Sequence, residues 1–496
     1  MSKATLVFMF IFLLFNHDNN DSPLPKKQLR PNVLFISIDD LNDWVGCLKG
    51  HPQVRTPNID RLAATGTLFT NAHTQSPICN PSRTSVLTGY RPSSTGIYGL
   101  SPWIREVESL KDIVTLPQYF KRQGYQTFSG GKIYHGGYGR MGSDKEFDSL
   151  GPPAGVKTSP PTKLAGVTPG GNNPWVDWGS FPLKDQELQD WEIASWASEL
   201  LSGDQSTPFF LSVGFFLPHV PLYAPADYFD LYPEDKLIMP EIRKNDREDT
   251  PKASWYNHWD VPEPRWKWFQ ENHQDTLFVR SYLAAISYMD QQVGRVLDAL
   301  ENGNYNDNTV VVLWSDHGFH LGEKEISGKN TLWERSTRVP LIFAGKEIGV
   351  GKTVDEPAEL LDIYPTLIDL CGLPEKGDLE GHSLLPQLKN HKTRRVWPAI
   401  TTNNHDNHAV RTESWRYIRY ADGSEELYNM ATDPNEWNNL ANIRAYKDIK
   451  DSLLKWIPKR NKEPLVGNYQ RILEYRENTP IWQGNLIKKS DTIPGI

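Results

Sequence analysis

Short apolar runs and helical patterns alternate along most of the chain. Continuous apolar runs are typical of strands covered on both faces, and the local pattern predicts strands at 33–38, 125–129, 209–216, 309–314 and 339–343. Helical patterns lie beside them at 57–64, 81–87, 116–122, 190–201, 276–300 and 360–370. Strands that alternate with helices predict an α/β fold, in which helices flank both faces of a mixed, mostly parallel sheet.

The pattern changes near residue 385. The segments 396–401, 409–420 and 425–430 predict antiparallel strands, and a helix is expected from about 436 to 456. We therefore expect a main domain over residues 29–385 and a smaller C-terminal α+β domain over residues 386–496.

Two further stretches lack a clear period. Residues 136–182 are rich in Gly and Pro and predict a long surface excursion. Residues 457–496 are expected to wrap over the main domain or to fray.

The N-terminus has the pattern of an export signal. Lys3 precedes ten apolar residues, 6–15, and a span of a bilayer needs about twenty. The run therefore fits the apolar core of a signal peptide. We expect residues 1–28 to be a signal peptide and linker, and the protein to be periplasmic or secreted without stable membrane insertion. No clear cleavage site follows, so an uncleaved anchor is the alternative.

The composition excludes some partners. The 496 residues carry a formal net charge of −8, which argues against nucleic acid because nucleic-acid-binding surfaces are basic. An anionic substrate would need a local positive pocket. Three cysteines, Cys47, Cys79 and Cys371, cannot form a disulfide framework. Cys47 and Cys371 are expected to be buried thiols.

Carboxylates follow two of the predicted strands. Asp39 and Asp40 end the run at 33–38, and Asp316 follows the run at 309–314. Open α/β sheets place ligands at the carboxyl ends of their strands. Carboxylate oxygens suit Ca²⁺ or Mg²⁺, and Ca²⁺ is the first expectation. Helix capping is the alternative role for such aspartates.

One string is specific enough to suggest a family. Residues 79–89 read Cys-Asn-Pro-Ser-Arg-Thr-Ser-Val-Leu-Thr-Gly, which resembles the activation signature of the type I sulfatases. The resemblance implies that Cys79 is oxidised to formylglycine, by a formylglycine-generating or an anaerobic sulfatase-maturating enzyme. One hydroxyl of the hydrated aldehyde would attack sulfur and the second would later expel sulfate. A buried, inert thiol is the alternative for Cys79.

Further strings extend the resemblance over most of residues 32–370. They are Gly131-Lys132-Ile133-Tyr134-His135, Pro218-His219-Val220-Pro221, Asp316-His317-Gly318 and Ser327-Gly328-Lys329-Asn330. The first three of these strings look most like the iduronate-2-sulfatase group, together with Asp39-Asp40-Leu41, the string at 79–83 and the continuation from Asp316 to Glu323. The resemblance implies the fold of the sulfatase and alkaline phosphatase superfamily. The implied activity is that of a sulfuric ester hydrolase.

The resemblance also implies a role for each residue that matches a motif. The metal ligands would be Asp39, Asp40, Asp316, His317 and the modified Cys79. The catalytic groups would be Cys79, Arg83 on the formylglycine hydroxyl, Lys132 and Lys329 on the sulfate, His135 as the base that lets sulfate leave, and His219 as the acid for the leaving alcohol or a sulfate ligand. Taken alone, Lys132 and His135 are more typical of solvated loop residues.

The substrate is less constrained. The group implies a sulfated sugar, and the sulfated rhamnose of ulvan, which lies next to uronic acid, is the leading expectation. Alternatives are iduronate-2-sulfate or another glycosaminoglycan, a choline or aryl sulfate and, more remotely, the phosphate esters of a phosphatase or phosphodiesterase. Candidate substrate-binding residues are Arg105, His405 and His408. The aromatic segments 255–259 and 266–269 are either a wall for sugar stacking or ordinary packing.

Overall fold

The computed structural model describes residues 1, 30–140, 146–465, 470–477 and 479–496. The predicted export signal, with its apolar run at 6–15, lies outside the described residues. Among the helices in these ranges, none combines the length and the apolar character that spanning a bilayer requires.

Strands and helices are numbered here in chain order. The strands are β1 (Asn32–Ile38), β2 (Thr67–Phe69), β3 (Ala72–His73), β4 (Gln126–Gly131), β5 (Ser149–Pro153), β6 (Trp178–Gly179), β7 (Phe209–Phe215), β8 (Leu222–Tyr223), β9 (Thr309–Ser315), β10 (His320–Leu321), β11 (Ser327–Gly328), β12 (Leu341–Ala344), β13 (Lys352–Val354), β14 (Ala358–Glu359), β15 (Ala399–Thr402), β16 (His408–Arg411), β17 (Trp415–Arg419), β18 (Glu425–Asn429), β19 (Leu473–Arg476), β20 (Thr479–Trp482) and β21 (Asn485–Leu486). The helices are α1 (Pro57–Thr65), α2 (Cys79–Thr88), α3 (Pro92–Thr95), α4 (Leu116–Arg122), α5 (Gln189–Ser202), α6 (Ala226–Asp230), α7 (Ala253–Tyr256), α8 (Trp266–Glu271), α9 (Asp275–Glu301), α10 (Glu334–Thr337), α11 (Ile363–Leu370), α12 (Leu385–Lys389) and α13 (Lys447–Leu454).

An eight-stranded sheet forms the centre of the molecule, in the order β13-β2-β12-β9-β1-β7-β4-β5. β1 lies in its middle and pairs in parallel with both β7 and β9. The predicted α/β fold with a mixed, mostly parallel sheet is confirmed. The strand expected at 339–343 begins later, at Leu341, and runs antiparallel to both of its neighbours.

Helices cover both faces of this sheet because successive β1 side chains point to opposite sides. Leu34 and Ile36 pack on the side of α1, α5 and α9, whereas Val33 and Phe35 pack on the side of α2, α4 and α11. All four side chains are fully buried. This two-sided burial explains why β1 is a continuous apolar run.

The edge of the sheet differs from the sequence prediction. Within the excursion expected over 136–182, β5 pairs in parallel with β4 and completes the sheet. That strand, Ser-Leu-Gly-Pro-Pro, is only partly buried. Gly and Pro are depleted in strands and Pro is confined to sheet edges, so its composition predicted a loop.

The C-terminal part contains a four-stranded antiparallel sheet, β15-β16-β17-β18. The prediction of one strand over 409–420 is wrong, because a tight turn divides it: Thr412 N–H donates to Trp415 O at 2.9 Å. The helix expected from about 436 is confined to α13. Glu436 has a left-handed backbone (φ 59°), which a helix cannot accommodate, and Arg416 holds its buried carboxylate at 2.8 Å.

The C-terminal tail returns to the main unit, one of the two outcomes expected for it. Lys462 N–H donates to Ser93 O at 2.8 Å, and Leu100 N–H donates to Gln470 O at 3.3 Å. The tail then forms a small sheet, β19-β20-β21. It therefore lies close to α3 and to the loop that follows α3.

Candidate active site

The carboxyl ends of β1 and β9 bring three aspartates together. These strands are paired in register up to Ile38 and Ser315, so Asp39, Asp40 and Asp316 emerge side by side. The backbone N–H of Asp40 donates to Asp316 Oδ1 at 3.1 Å. Asp40 has a left-handed backbone (φ 60°), a strained conformation that is frequent at functional sites.

Cys79 faces this cluster from the first position of α2. Its side chain is buried, and its Sγ lies 3.3 Å from Lys329 Nζ, 3.3 Å from His317 Nε2 and 3.7 Å from Lys132 Nζ. The amino end of a helix also favours negative charge. The thiol therefore occupies a compact positive pocket inside an acidic protein.

Arg83 lies one helical turn after Cys79 and links the two strand ends. Its Nη2 lies 3.2 Å from Asp39 Oδ1 and its Nε lies 2.8 Å from Asp316 Oδ2. All three side chains are fully buried. Removing one partner of such a buried pair leaves an uncompensated charge, so Arg83 holds the carboxylates in place.

The charges of the site shift the pKa values of its groups. Burial alone raises the pKa of the Cys79 thiol, but Lys132, Lys329 and His317 bring it well below its usual value. Burial likewise raises the pKa of Asp39. The ammonium of Lys132 contacts Asp39 Oδ2 and outweighs this effect, so the pKa of the carboxyl is lowered overall. Burial raises the pKa of Asp316 to about 6, although Arg83 opposes the shift. The pocket therefore favours an anionic group at position 79.

The donor atoms of this cluster fit a divalent cation. Oxygen, nitrogen and sulfur ligand atoms of Asp39, Cys79, Asp316 and His317 all lie within 4.8 Å of one another. Asp40 Oδ2 is buried and has no hydrogen-bond partner among the described residues. An orphaned buried carboxylate oxygen is costly unless a ligand satisfies it. Hard oxygen donors in this number suit Ca²⁺ or Mg²⁺.

Two histidines stand at the rim of the pocket. His219 forms a second group of potential ligands with Asp39, Asp40 and Cys79, again within 4.8 Å. Its Nδ1 lies 2.6 Å from Val220 O, and its ring packs on Phe216 at 4.8 Å. Burial lowers the pKa of His135, and its buried Nδ1 has no partner among the described residues. A neutral imidazole of this kind can accept a proton.

A buried carboxylate braces the loop that carries His219. Asp190, in α5, accepts from Phe216 N–H at 2.9 Å and from Leu217 N–H at 3.0 Å. The N–H of His219 in turn donates to Phe216 O at 2.9 Å. Sequence patterns gave no sign of this brace, because Asp190 reads as an ordinary residue of the first helical turn.

The brace should make stability depend on pH. Burial raises the pKa of Asp190 from 3.8 to about 7. Its contribution to stability is therefore fully present below about pH 4 and is lost as the pH rises through about 7, on the order of 4 kcal/mol at most. We expect the melting temperature of wild type minus that of Asp190→Asn to decrease as the pH is raised from 4.5 to 7.5. Thermal melts of both proteins at the two pH values measure this, and a difference that grows with pH would contradict it.

Three sequence candidates are engaged elsewhere. Arg105 donates to Glu146 Oε1 at 2.6 Å and to two backbone oxygens. His408 is buried between Thr402 and Asn461, and burial lowers its pKa to about 3. His405 lies at the tail, 3.4 Å from Asn461 O. None of these contacts joins the carboxylate cluster.

The aromatic segments mainly pack. Trp255, Trp259, Trp266 and Phe269 are buried in apolar clusters, whereas Trp268 is partly exposed beside a cleft. The segments therefore support the irregular region before α9, and Tyr256 and Trp268 are their partly exposed rings.

Sequence reasoning missed the contribution of the tail. Arg471 Nη1 donates to Asn330 Oδ1 at 2.7 Å, next to the site lysine Lys329. Residues so distant along the chain carry no local signal of their proximity. Asn330 lies in the string at 327–330, but Arg471 belongs to no recognisable string.

Comparison with known proteins identifies the family of the chain. The family model described as Sulfatase matches residues 31–373, and the one described as N-sulphoglucosamine sulphohydrolase, C-terminal, matches residues 322–463. A Formosa agariphila protein named Sulfatase is 39% identical over 475 residues, covering 93% of each chain. Iduronate 2-sulfatase of Mus musculus is 33% identical over 389 residues, covering 69% of each chain. The Ulvan-active sulfatase of Formosa agariphila is 27% identical over 448 residues, covering 86% of this chain and 80% of that one.

The fold also resembles solved structures. One of them, of a protein in complex with its substrate D-glucosamine-2-N,6-O-disulfate, aligns with a TM-score of 0.66 at 21% identity. The alignment covers 86% of this chain and 96% of that one. At this identity the likeness shows the fold alone.

Proposed function

Since this chain belongs to the sulfatase family and is a sulfuric ester hydrolase, we propose that it removes sulfate from a sulfated polysaccharide or oligosaccharide, with ulvan rhamnose sulfate as the first candidate. The observation that carries the proposal is the surrounding of Cys79: a buried Sγ between two ammonium groups and an imidazole, facing three carboxylates. This pocket matches a sulfate ester, because its cations can bind the oxygens of sulfate and its carboxylates can hold a divalent ion.

The nucleophile would come from Cys79 after oxidation to formylglycine. The hydrated aldehyde supplies an oxygen nucleophile and a second hydroxyl on the same carbon. The position fits an anionic oxygen, since Lys132, Lys329 and the amino end of α2 all favour negative charge there. Asp39, Asp40, Asp316 and His317 would hold Ca²⁺, with Mg²⁺ second, and the ion would supply Lewis-acid polarisation of the sulfate.

The remaining residues bind the substrate and move protons. Lys132 and Lys329 bind sulfate oxygens and stabilise the charge that develops on them. Arg83 fixes the carboxylates and the residue at position 79. His219 donates a proton to the leaving alcohol oxygen. His135, neutral because burial lowers its pKa, takes the proton of the second hydroxyl.

Two sugar classes are supported by relatives. The relative named Ulvan-active sulfatase supports ulvan, and the iduronate 2-sulfatase supports a glycosaminoglycan as the second candidate. Choline or aryl sulfates would use the same chemistry. A phosphatase or phosphodiesterase is disfavoured, because the residue at the nucleophile position is a cysteine in an intact sulfatase string. We also propose export to the periplasm or the medium, where polymeric sugars are available.

The test is sulfate release from ulvan, heparin, carrageenan and fucoidan oligosaccharides, with an aryl sulfate beside them. We expect one sulfated sugar class, ulvan first, to be hydrolysed at least about 100-fold faster in kcat/KM than the aryl ester, because remote binding energy raises the rate. Activity confined to the aryl ester would refute the carbohydrate assignment, and release from heparin alone would select the glycosaminoglycan candidate.

A further inference from the structure

The C-terminal tail brings a guanidinium to the edge of the active site. Arg471 Nη1 donates to Asn330 Oδ1 at 2.7 Å. Asn330 directly follows Lys329, whose Nζ lies 3.3 Å from Cys79 Sγ. The tail thus adds positive charge beside the pocket for sulfate.

The guanidinium of Arg471 has N–H groups that its two protein partners do not use. It has five N–H groups, and among the described residues it contacts Asn330 and Glu263. Glu263 engages only Nη2, at 3.2 and 3.4 Å, instead of forming two parallel hydrogen bonds. The Arg471 side chain is 13% exposed. Arg471 can therefore accept a second anionic partner without losing the first.

Two buried amides that contact the tail segment 471–473 each have a donor without an acceptor. Asn330 Oδ1 accepts from Arg471 and Asn404 Oδ1 accepts from Leu473 N–H at 3.0 Å, so each Nδ2 must donate. Within the described ranges neither Nδ2 has a partner, and both side chains are 1% exposed. Asp40 Oδ2, at the proposed metal position, is likewise a buried polar atom without a hydrogen-bond partner among the described residues. A buried donor that makes no hydrogen bond costs free energy. A ligand that accepts from both Nδ2 groups would remove this cost.

The backbone holds these residues in place. Asn330, Asn404 and Arg471 all have positive φ, at 72°, 64° and 60°. Asn is tolerated there, but a left-handed Arg is uncommon. Asn403 Nδ2 also donates to Asn330 O at 2.6 Å, which ties the two asparagine loops together. Such strain persists where the surrounding structure over-determines it and clusters at ligand sites.

We propose that Arg471, Asn330 and Asn404 form a subsite for the carboxylate of a uronic acid in the sulfated substrate. A planar carboxylate accepts two parallel N–H bonds from a guanidinium, and its other lone pairs can accept from the amides. The proposal deepens the proposed function and rests on it. It makes the enzyme specific for a sulfate ester on or next to an acidic sugar.

The experiment compares one substrate with and without its carboxylate. The probes are a sulfated, uronate-containing disaccharide from ulvan, the same disaccharide after reduction of the carboxyl to an alcohol, a neutral disulfated disaccharide and an aryl sulfate. For Arg471→Ala we expect KM for the uronate probe to rise about 10- to 100-fold with kcat little changed, since a charge-assisted bond is lost. Arg471→Lys should recover part of the loss, and the reduced and aryl probes should respond to neither variant.

Other outcomes overturn the subsite. Equal losses on the aryl sulfate would mean that Arg471 only supports Lys329, and a KM effect confined to the disulfated probe would assign the anion as a second sulfate. Arg476→Ala, which removes an exposed arginine of the same tail, is the matched control and should behave as wild type.

Binding separates this proposal from the proposed function. Calorimetry of Cys79→Ala with the uronate probe and its reduced form needs no turnover. We expect the uronate form to bind about 10-fold tighter or more, and Arg471→Ala in the same background to remove the difference. Equal binding of the two forms would refute the subsite. Sulfate release from no sugar, with preferential uronate binding intact, would refute the proposed reaction alone.

Discussion

Sulfate release is expected to fall by roughly 10³- to 10⁶-fold in Cys79→Ala, the range typical for loss of an enzyme nucleophile. Position 79 is the point on which Lys132, Lys329 and His317 converge, and alanine offers no atom that can attack sulfur. Initial rates with the preferred substrate, followed by ion chromatography of sulfate, measure the loss. The intact mass of active wild type should be about 18 Da below that of the thiol form, as conversion to the aldehyde requires.

Cys79→Ser separates the two halves of the reaction. A serine has one hydroxyl to attack sulfur but no second hydroxyl to expel sulfate, so we expect one slow turnover and a mass increase of about 80 Da at position 79. Cys47→Ala, at a partly buried thiol outside the site, is the control and should retain activity. Multiple turnover by the serine variant would contradict the role of the second hydroxyl.

Removal of divalent ions should nearly abolish activity and leave the protein folded. The fold persists because cations already contact the carboxylates: Arg83 holds Asp39 and Asp316, and Lys329 Nζ lies 2.6 Å from Asp40 Oδ1. We expect chelation to lower kcat/KM by at least about 100-fold, because Lewis-acid stabilisation contributes several kcal/mol. Calcium should restore activity better than magnesium.

Melting curves test the same site independently of turnover. Calcium at 100 times its Kd should stabilise wild type by about 2.7 kcal/mol, and Asp40→Asn should lose this response. Asp298→Asn, at an exposed carboxylate paired with Arg61, should keep it. Full activity after exhaustive chelation, or an unchanged calcium response in Asp40→Asn, would contradict the proposed metal site.

The sequence was informative where local chemistry decides structure. The apolar run of β1 predicted a buried parallel strand, and the aspartates after β1 and β9 lie together because adjacent parallel strands end at one edge. The string around Cys79 also predicted a helix directly after it, and α2 begins at Cys79 itself.

Other features depend on contacts between distant residues. An apolar run does not encode strand direction, so the antiparallel orientation of β12 was not predicted. The turn after β16 contains neither Gly nor Pro, which left the hairpin unrecognised. Arg105 was a candidate substrate-binding residue from the sequence, but in the structure it pairs with Glu146. Likewise, the approach of Arg471 to Asn330 depends on the path of the tail.

The burial of α2 determines whether Cys79 can be modified before or after the protein folds. All ten residues of this helix are buried, and Cys79 itself is 1% exposed. An enzyme that modifies a side chain must bind the surrounding backbone in an accessible form, which the finished helix does not offer. The proposed conversion of Cys79 would therefore have to precede folding of this helix. Chains that fold before they meet the modifying enzyme would be stable but inactive. The fraction of active protein would then depend on the rate of modification relative to the rate of folding.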